Sequence, residues 1–289
     1  MEIYVYIGGH RTTSHHFYDA LVKNNESLQA EKVIFSSATR RTKKKIISAF
    51  EAIKQGNDQK HVRDNLLQTL TFGKDVKRLL IVDLRLFGGK RRSISNKVDI
   101  FYDKIQTVFR ECDIRFFIET RNYATYAASA YSESIIDGAS QSFSDFLLNT
   151  KYSNFRWPLL IEGLQGQQSS KPEIVWRFED YEYIWRDILG AFSGIINSQD
   201  LIGPSNTRNL GLSITGAELL NKYKKEYSND SNESLEQVQK IFLRQFPFDQ
   251  NTTSVGAWNG KNVQQLTNSY EDDWYYIDRI ENVIPIKPR

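Results

Sequence analysis

Up to residue 180, short continuous apolar runs alternate with stretches whose apolar positions recur every three or four residues. Runs of the first kind lie at 2–8, 32–36, 78–83, 114–119 and 173–178. Their lack of in–out alternation predicts strands buried on both faces. Between them the helical period predicts helices near 15–24, 41–55, 59–71, 97–110, 122–137, 141–149 and 154–165. Beyond 180 the pattern is almost wholly helical, over 181–194, 215–226, 232–245 and 261–281. Buried strands joined by helices predict an α/β fold: a central parallel sheet with right-handed crossovers, flanked by helices, and a helical C-terminal part from about 181 to 289. Turn formers gather at 88–96, 165–172, 202–211 and 228–233, with no repeat or low-complexity tract. With 289 residues, 40% of them hydrophobic, the chain reads as one domain, 1–289.

Ligands of such sheets bind beyond the C-terminal ends of the strands, and two segments there carry chemistry. The run Ile3-Tyr4-Val5-Tyr6-Ile7 leads into Gly8-Gly9-His10-Arg11-Thr12-Thr13-Ser14 and then a helix. The backbone N–H groups of a glycine-led turn converge on one spot, and a helix N-terminus adds partial positive charge there. An anion site is one reading. The spacing is not the GxxxxGK[ST] of a nucleotide triphosphatase, and a tight turn with a polar cap accounts for the same residues. The second segment is the strand Ile114-Arg115-Phe116-Phe117-Ile118-Glu119, followed by Thr120, Arg121 and a helix carrying Ser129. An Arg at a strand's exit and a Ser two turns into the next helix suit one phosphate, the guanidinium as a planar fork and the hydroxyl as a single donor.

Together these segments resemble the sulfotransferase family, whose donor is 3′-phosphoadenosine-5′-phosphosulfate. In that family an N-terminal G-x-[HK]-K-T-[GA]-T-[TS] loop holds the 5′-phosphosulfate, and a strand-Arg-x7-Ser-helix element holds the 3′-phosphate. Here the first reads Gly8-Gly9-His10-Arg11-Thr12-Thr13-Ser14-His15, with Arg11 in place of Lys and Thr13 in place of a small residue. The second runs from Arg121 to Ser129 and Tyr131. Arg208-Asn209-Leu210-Gly211-Leu212-Ser213 and the tail Leu266–Asp273 are similar to segments of bacterial members. The resemblance implies a P-loop-like sulfotransferase fold and transfer of a sulfuryl group to a hydroxyl of a bacterial glycan or glycolipid, with no metal required. It further implies a donor site of Gly8, Gly9, Arg11, Thr12, Thr13, Ser14, Arg121, Ser129 and Arg208.

Sulfuryl transfer needs charge stabilisation on the leaving phosphate, a role for Arg11, and a base for the acceptor hydroxyl. Where bacterial relatives end a strand with "S-D-E-N", this chain has Val82-Asp83-Leu84-Arg85, so Asp83 is retained and the Glu is not. Arg11 and Leu84 leave open a binding protein that keeps the pocket without turnover. His10 within the loop, and His15 and His16 just after it, are further candidate bases, and adjacent His15 and His16 diverge on a helix, which disfavours a metal site. Trp258, in a polar run, is the candidate carbohydrate contact. Arg40-Arg41-Thr42-Lys43-Lys44-Lys45 opens a predicted helix and Lys90-Arg91-Arg92 follows a glycine pair; each reads as a solvated face or an anion contact.

A net charge of +3 on a chain with 25% charged residues offers no global basic bias for nucleic acid. Cys112 is the single cysteine, so no intramolecular disulfide forms and a reducing compartment suits the chain. No run approaches the roughly 20 apolar residues of a membrane span, and no secretory signal is visible. A cytoplasmic bacterial protein is the expectation. Nothing in the pattern bears on oligomeric state.

Overall fold

The computed structural model describes residues 1–8, 13–36, 40–83, 104–150, 156–165, 172–195, 197–204, 211–227, 232–248 and 260–289, apart from the side chains of Ser14, Arg40, Asp83, Thr150, Asn232 and Glu233. The strands are β1 (Glu2–Gly8), β2 (Val33–Ser36), β3 (Arg78–Asp83), β4 (Asp113–Thr120), β5 (Glu173–Arg177) and β6 (Val283–Pro285). They form one sheet in the order β2-β3-β1-β4-β5-β6, and every pairing is parallel. The central parallel sheet flanked by helices agrees with the pattern of apolar runs.

The helices are α1 (Ser14–Lys23), α2 (Asn25–Ala30), α3 (Arg40–Lys54), α4 (Gln59–Leu70), α5 (104–108), α6 (Tyr123–Ile136), α7 (Phe143–Thr150), α8 (Trp157–Gln165), α9 (Tyr181–Ser193), α10 (Ile214–Glu226), α11 (Asn232–Gln245) and α12 (Gly260–Ile277). Alternate residues of each inner strand serve opposite layers. Ile3, Val5 and Ile7 of β1 join Leu79, Ile81, Phe116, Ile118 and Val175 under α3, α4, α5, α8 and α12. Tyr4 and Tyr6 join Leu80, Val82, Phe117 and Trp176 under α1 and α9. A third apolar cluster ties α6, α7, α10 and α11 together beyond the sheet.

Two of these helices and strands lie outside the expectations. The short helix α2 has one buried apolar residue, Leu28, too few to show a period. The strand β6 is three residues long and ends in Pro285, which removes a ladder donor. It stands at the sheet's edge, where Glu173 N–H meets Asn282 O at 2.9 Å and Ile286 N–H meets Val175 O at 2.9 Å.

The topology locates a crevice. The connection out of β1 runs towards β2 and carries α1 on one face of the sheet. The connection out of β4 runs the other way, towards β5, and carries α8 on the opposite face. Right-handed crossovers require that reversal of face when the direction reverses. The connections therefore diverge at the neighbouring strands β1 and β4, which is where open α/β sheets hold their ligands.

Candidate anion site at the carboxyl ends of β1 and β4

In the parallel register Gly8 lies beside Glu119 and Ile7 beside Asp83. The exits of β3, β1 and β4, carrying Asp83, Gly8 and Arg121, thus sit side by side at strand spacings of about 4.8 Å. Gly9, His10, Arg11 and Thr12 lie outside the described residues, as do Leu84, Arg208, Trp258 and Lys90-Arg91-Arg92. For Ser14 and Asp83 the backbone alone is described, at the start of α1 and the end of β3.

Thr13 is the loop residue seen in full, and its polar atoms are engaged. It is buried at the N-cap position of α1, yet its side chain makes no cap bond. Its hydroxyl instead donates to Glu119 Oε1 at 2.5 Å and its N–H to Glu119 Oε2 at 3.2 Å. The same carboxylate accepts from the Tyr6 hydroxyl at 2.6 Å and from Trp176 Nε1 at 3.2 Å. Glu119 is fully buried. A buried carboxylate is tolerable only where donors surround it, and this one has four from β1, β5 and the loop's last residue.

Arg121 is 2% exposed, immediately past β4. Its guanidinium lies 4.1 Å from the centre of the Phe178 ring and 5.3 Å from that of Phe248, a geometry in which aromatic faces attract a cation. Nε donates to Thr125 Oγ1 at 3.2 Å, so the side chain runs along the first turn of α6. Ser129, also buried, is one turn beyond Thr125 on the same helix face. The Arg121 carbonyl accepts from Trp157 Nε1 at 2.9 Å.

The backbone around Arg121 is held from several sides. Asn122 caps α6 by accepting from Ala124 N–H at 2.9 Å, and its own N–H donates to Glu179 Oε1 at 2.9 Å. Tyr270 of α12 donates to Glu179 Oε2 at 3.0 Å. The Thr120 hydroxyl joins the Tyr270 hydroxyl at 3.0 Å, Trp274 Nε1 at 3.0 Å and the Trp176 carbonyl at 3.1 Å. Glu179 as a residue is only partly buried, but its carboxylate is enclosed by these partners. Burial pushes that carboxyl above its ordinary value; the N–H groups of Asn122 and Glu179, the charge of Arg121 and the Tyr270 hydroxyl oppose the shift.

Two polypeptide clasps tie later segments to α6 and to α1. Gly211–Ser213 and Phe246–Phe248 pair through the Leu212–Pro247 bridge, with Phe248 N–H on Gly211 O at 2.6 Å and Ser213 N–H on Phe246 O at 2.9 Å. Leu212 N–H also donates to Ser132 Oγ of α6 at 3.0 Å. At the C-terminal end of α1 Asn24 clamps Ile202, donating to its carbonyl at 2.7 Å and accepting from its N–H at 3.0 Å. Lys23 Nζ reaches Gly203 O at 3.3 Å.

His16 lies beside the second of these clasps. It is buried in edge contact with Tyr181 and Trp185, and its Nδ1 shares a hydrogen bond with the Tyr181 hydroxyl at 2.9 Å. Nε2 has no well-formed hydrogen bond among the described residues. Burial lowers the ring's pKa, and the nearby Pro204 backbone opposes the shift. The Tyr181 phenol is pushed well up by burial and by the Glu119 charge, its hydrogen bond with Thr13 opposing. His15, by contrast, is exposed.

Glu119, Thr125, Phe178, Glu179 and Phe248 were not anticipated from the sequence. The one signal for Glu119 was an acidic residue directly after the apolar run Phe116-Phe117-Ile118. Among the described residues no group of three or more His, Cys, Asp or Glu is placed to hold a metal ion, and no helix is long and apolar enough to cross a membrane.

Comparison with protein-family models finds no match. Comparison with curated proteins finds none either. Among solved structures the chain is similar to mouse sulfotransferase SULT7A1 complexed with PAP, at 11% identity and a TM-score of 0.41, over 96% of this chain and 85% of that one. At that level of likeness the functional reading rests on the residues of this chain.

Proposed function

We propose that this protein is a sulfotransferase that binds 3′-phosphoadenosine-5′-phosphosulfate between the exits of β1 and β4 and transfers its sulfuryl group to a hydroxyl of a bacterial glycan or glycolipid. The observation that carries the reading is the β1–β4 register, which sets Gly8 beside Glu119. The two segments that resemble the family's phosphosulfate and 3′-phosphate elements then open at the same edge, at the switch point of the sheet. A buried arginine next to that edge, backed by two aromatic rings, supports it further, because an enclosed guanidinium suits a dianion.

In this reading Arg121 and Ser129 hold the 3′-phosphate. The turn Gly8-Gly9-His10-Arg11-Thr12-Thr13-Ser14 holds the 5′-phosphosulfate, and Arg208 is a further contact to the donor. The bond from sulfur to the phosphate oxygen breaks as the acceptor oxygen bonds to sulfur. Arg11 neutralises the leaving bisphosphate, and His10 or Asp83 takes the acceptor's proton. Arg spreads its charge over a fork where the family has a compact ammonium, so binding survives the exchange more readily than turnover. Arg11 and Leu84 together favour a second reading, a protein of the same fold that binds the nucleotide and no longer turns over.

The test is a thermal shift with adenosine 3′,5′-bisphosphate in EDTA, followed by donor labelled in its sulfuryl group and a panel of cell-envelope glycans. A native-state ligand at 100 times its Kd stabilises by about 2.7 kcal/mol, a clear rise in Tm. No shift at millimolar nucleotide would sink both readings. Label transfer that disappears in Arg11→Ala supports the enzyme; binding without product supports the second reading.

A further inference from the structure

We propose that Glu119 is a positioning residue for the anion-binding turn, acting through Thr13, and that Thr13 serves as the turn's anchor instead of as a donor to the ligand. The inference rests on the reading that the turn binds the sulfate donor. Three observations carry it. The Thr13 N–H and hydroxyl, the donors that a residue at a helix N-terminus would offer an anion, both go to Glu119. The Thr13 side chain forgoes the cap bond its position allows, so the contact with Glu119 replaces local capping.

The third is that Glu119 is itself fixed independently of the turn. It stands in the β1–β4 register beside Gly8, and Tyr6 of β1 and Trp176 of β5 each donate to it. The turn therefore leaves the sheet at Gly8 and returns to the residue beside Gly8, which pins both ends of the four intervening residues to one point of β4. Fixing the end points of a binding segment raises affinity by lowering the ordering cost of binding. The negative charge is also aimed at the N-terminus of α1, where it is favourable, although it faces the same region as the donor's phosphates. Position and charge thus act in opposite senses on an anionic ligand, and the two are separable by experiment.

The variants are Thr13→Val, Thr13→Ser, Glu119→Gln and the double variant Thr13→Val with Glu119→Gln. Hydrogen exchange of the free protein reads the clamp without any ligand. The amides of 13–17 should exchange about tenfold faster in Thr13→Val and in Glu119→Gln, with those of 113–118 unchanged. Calorimetric titration with adenosine 3′,5′-bisphosphate reads the consequence. Each single change should weaken binding about tenfold, the double change by about the same factor, and Thr13→Ser should match wild type. Losses that multiply to about a hundredfold would make Thr13 a direct ligand and overturn the proposal. So would unchanged exchange at 13–17, faster exchange spread over the whole sheet, or tighter binding in Glu119→Gln, which would leave charge as its only effect. Should wild type not bind the bisphosphate, the donor reading fails while the exchange data still decide the clamp. Should Glu119→Gln not fold, the Val and Ser variants at Thr13 decide it.

Discussion

Replacing Arg121 by alanine should harm stability and nucleotide binding by separable amounts, and the stability loss should carry a pH signature. The side chain is 2% exposed and lies against Phe178 at 4.1 Å and Phe248 at 5.3 Å, with Thr125 Oγ1 at 3.2 Å from Nε. Its charge helps hold the buried Glu179 carboxyl down, and removing such a countercharge costs up to about 3–5 kcal/mol. Glu179 keeps donors from Asn122 and Tyr270, which argues for the lower figure, about 3 kcal/mol. For a chain of this size that is about 5 °C in Tm. Binding of adenosine 3′,5′-bisphosphate should weaken by a further 1.5–3 kcal/mol or so, roughly 10- to 150-fold, the contribution of a charged hydrogen bond. The pH dependence follows from Glu179. Its carboxyl already lies above the ordinary 4.5 because of burial, and the charge of Arg121 is among the groups holding it down. Without Arg121 it rises further. A carboxyl raised in the folded state contributes stability that is full below 4.5 and is lost as pH rises through its folded value. The deficit of Arg121→Ala against wild type should therefore be smallest near pH 4.5 and grow towards neutrality, by at most about 1.4 kcal/mol per pH unit. Chemical denaturation between pH 4.5 and 7.5, with calorimetric titration at pH 7, reads both quantities. A deficit that is flat or grows as pH falls would refute the coupling to Glu179; unchanged nucleotide affinity would refute the placement of the 3′-phosphate.

His16 gives the opposite pH signature: burial lowers its pKa, so the unfolded chain takes up the proton first and stability is lost as pH falls below about 6.5. In His16→Phe the Tm between pH 7.5 and 5.5 should fall less steeply than in wild type, and parallel curves would contradict the assignment. Gly203→Ala places a Cβ at 2.6 Å from Trp185 Cη2, beside the clasp between Asn24 and Ile202. Overpacking of that kind costs about 1–3 kcal/mol, a Tm loss of several degrees in a thermal melt; a Tm unchanged to about 1 °C would show that the clasp is loose.

Much of this architecture is legible in the sequence because it is local. Strands buried on both faces must be apolar throughout, so β1 to β5 announce themselves as runs, and long helices such as α6 and α12 carry enough turns to display their period. The element α2 and the strand β6 have too few residues for either pattern, and β6 exists because Glu173 and Val175 of β5 supply its hydrogen bonds. Arg121 was readable as a residue of interest from its place between a strand and a helix. Its surroundings were not, since Phe178, Glu179 and Phe248 reach it from β5's exit and from beyond α11.

By itself the sequence determined the order and type of most elements, the parallel sheet of β1 to β5, and the edge at which Gly8, Thr13 and Arg121 emerge. Only the tertiary structure decided which of those groups face one another. Glu119 and Thr13 are 106 positions apart, and no local period or propensity relates them. What joins them is strand register: hydrogen bonding between β1 and β4 puts Gly8 beside Glu119, and a carboxylate withdrawn from water there must collect whatever donors the neighbouring chain can offer.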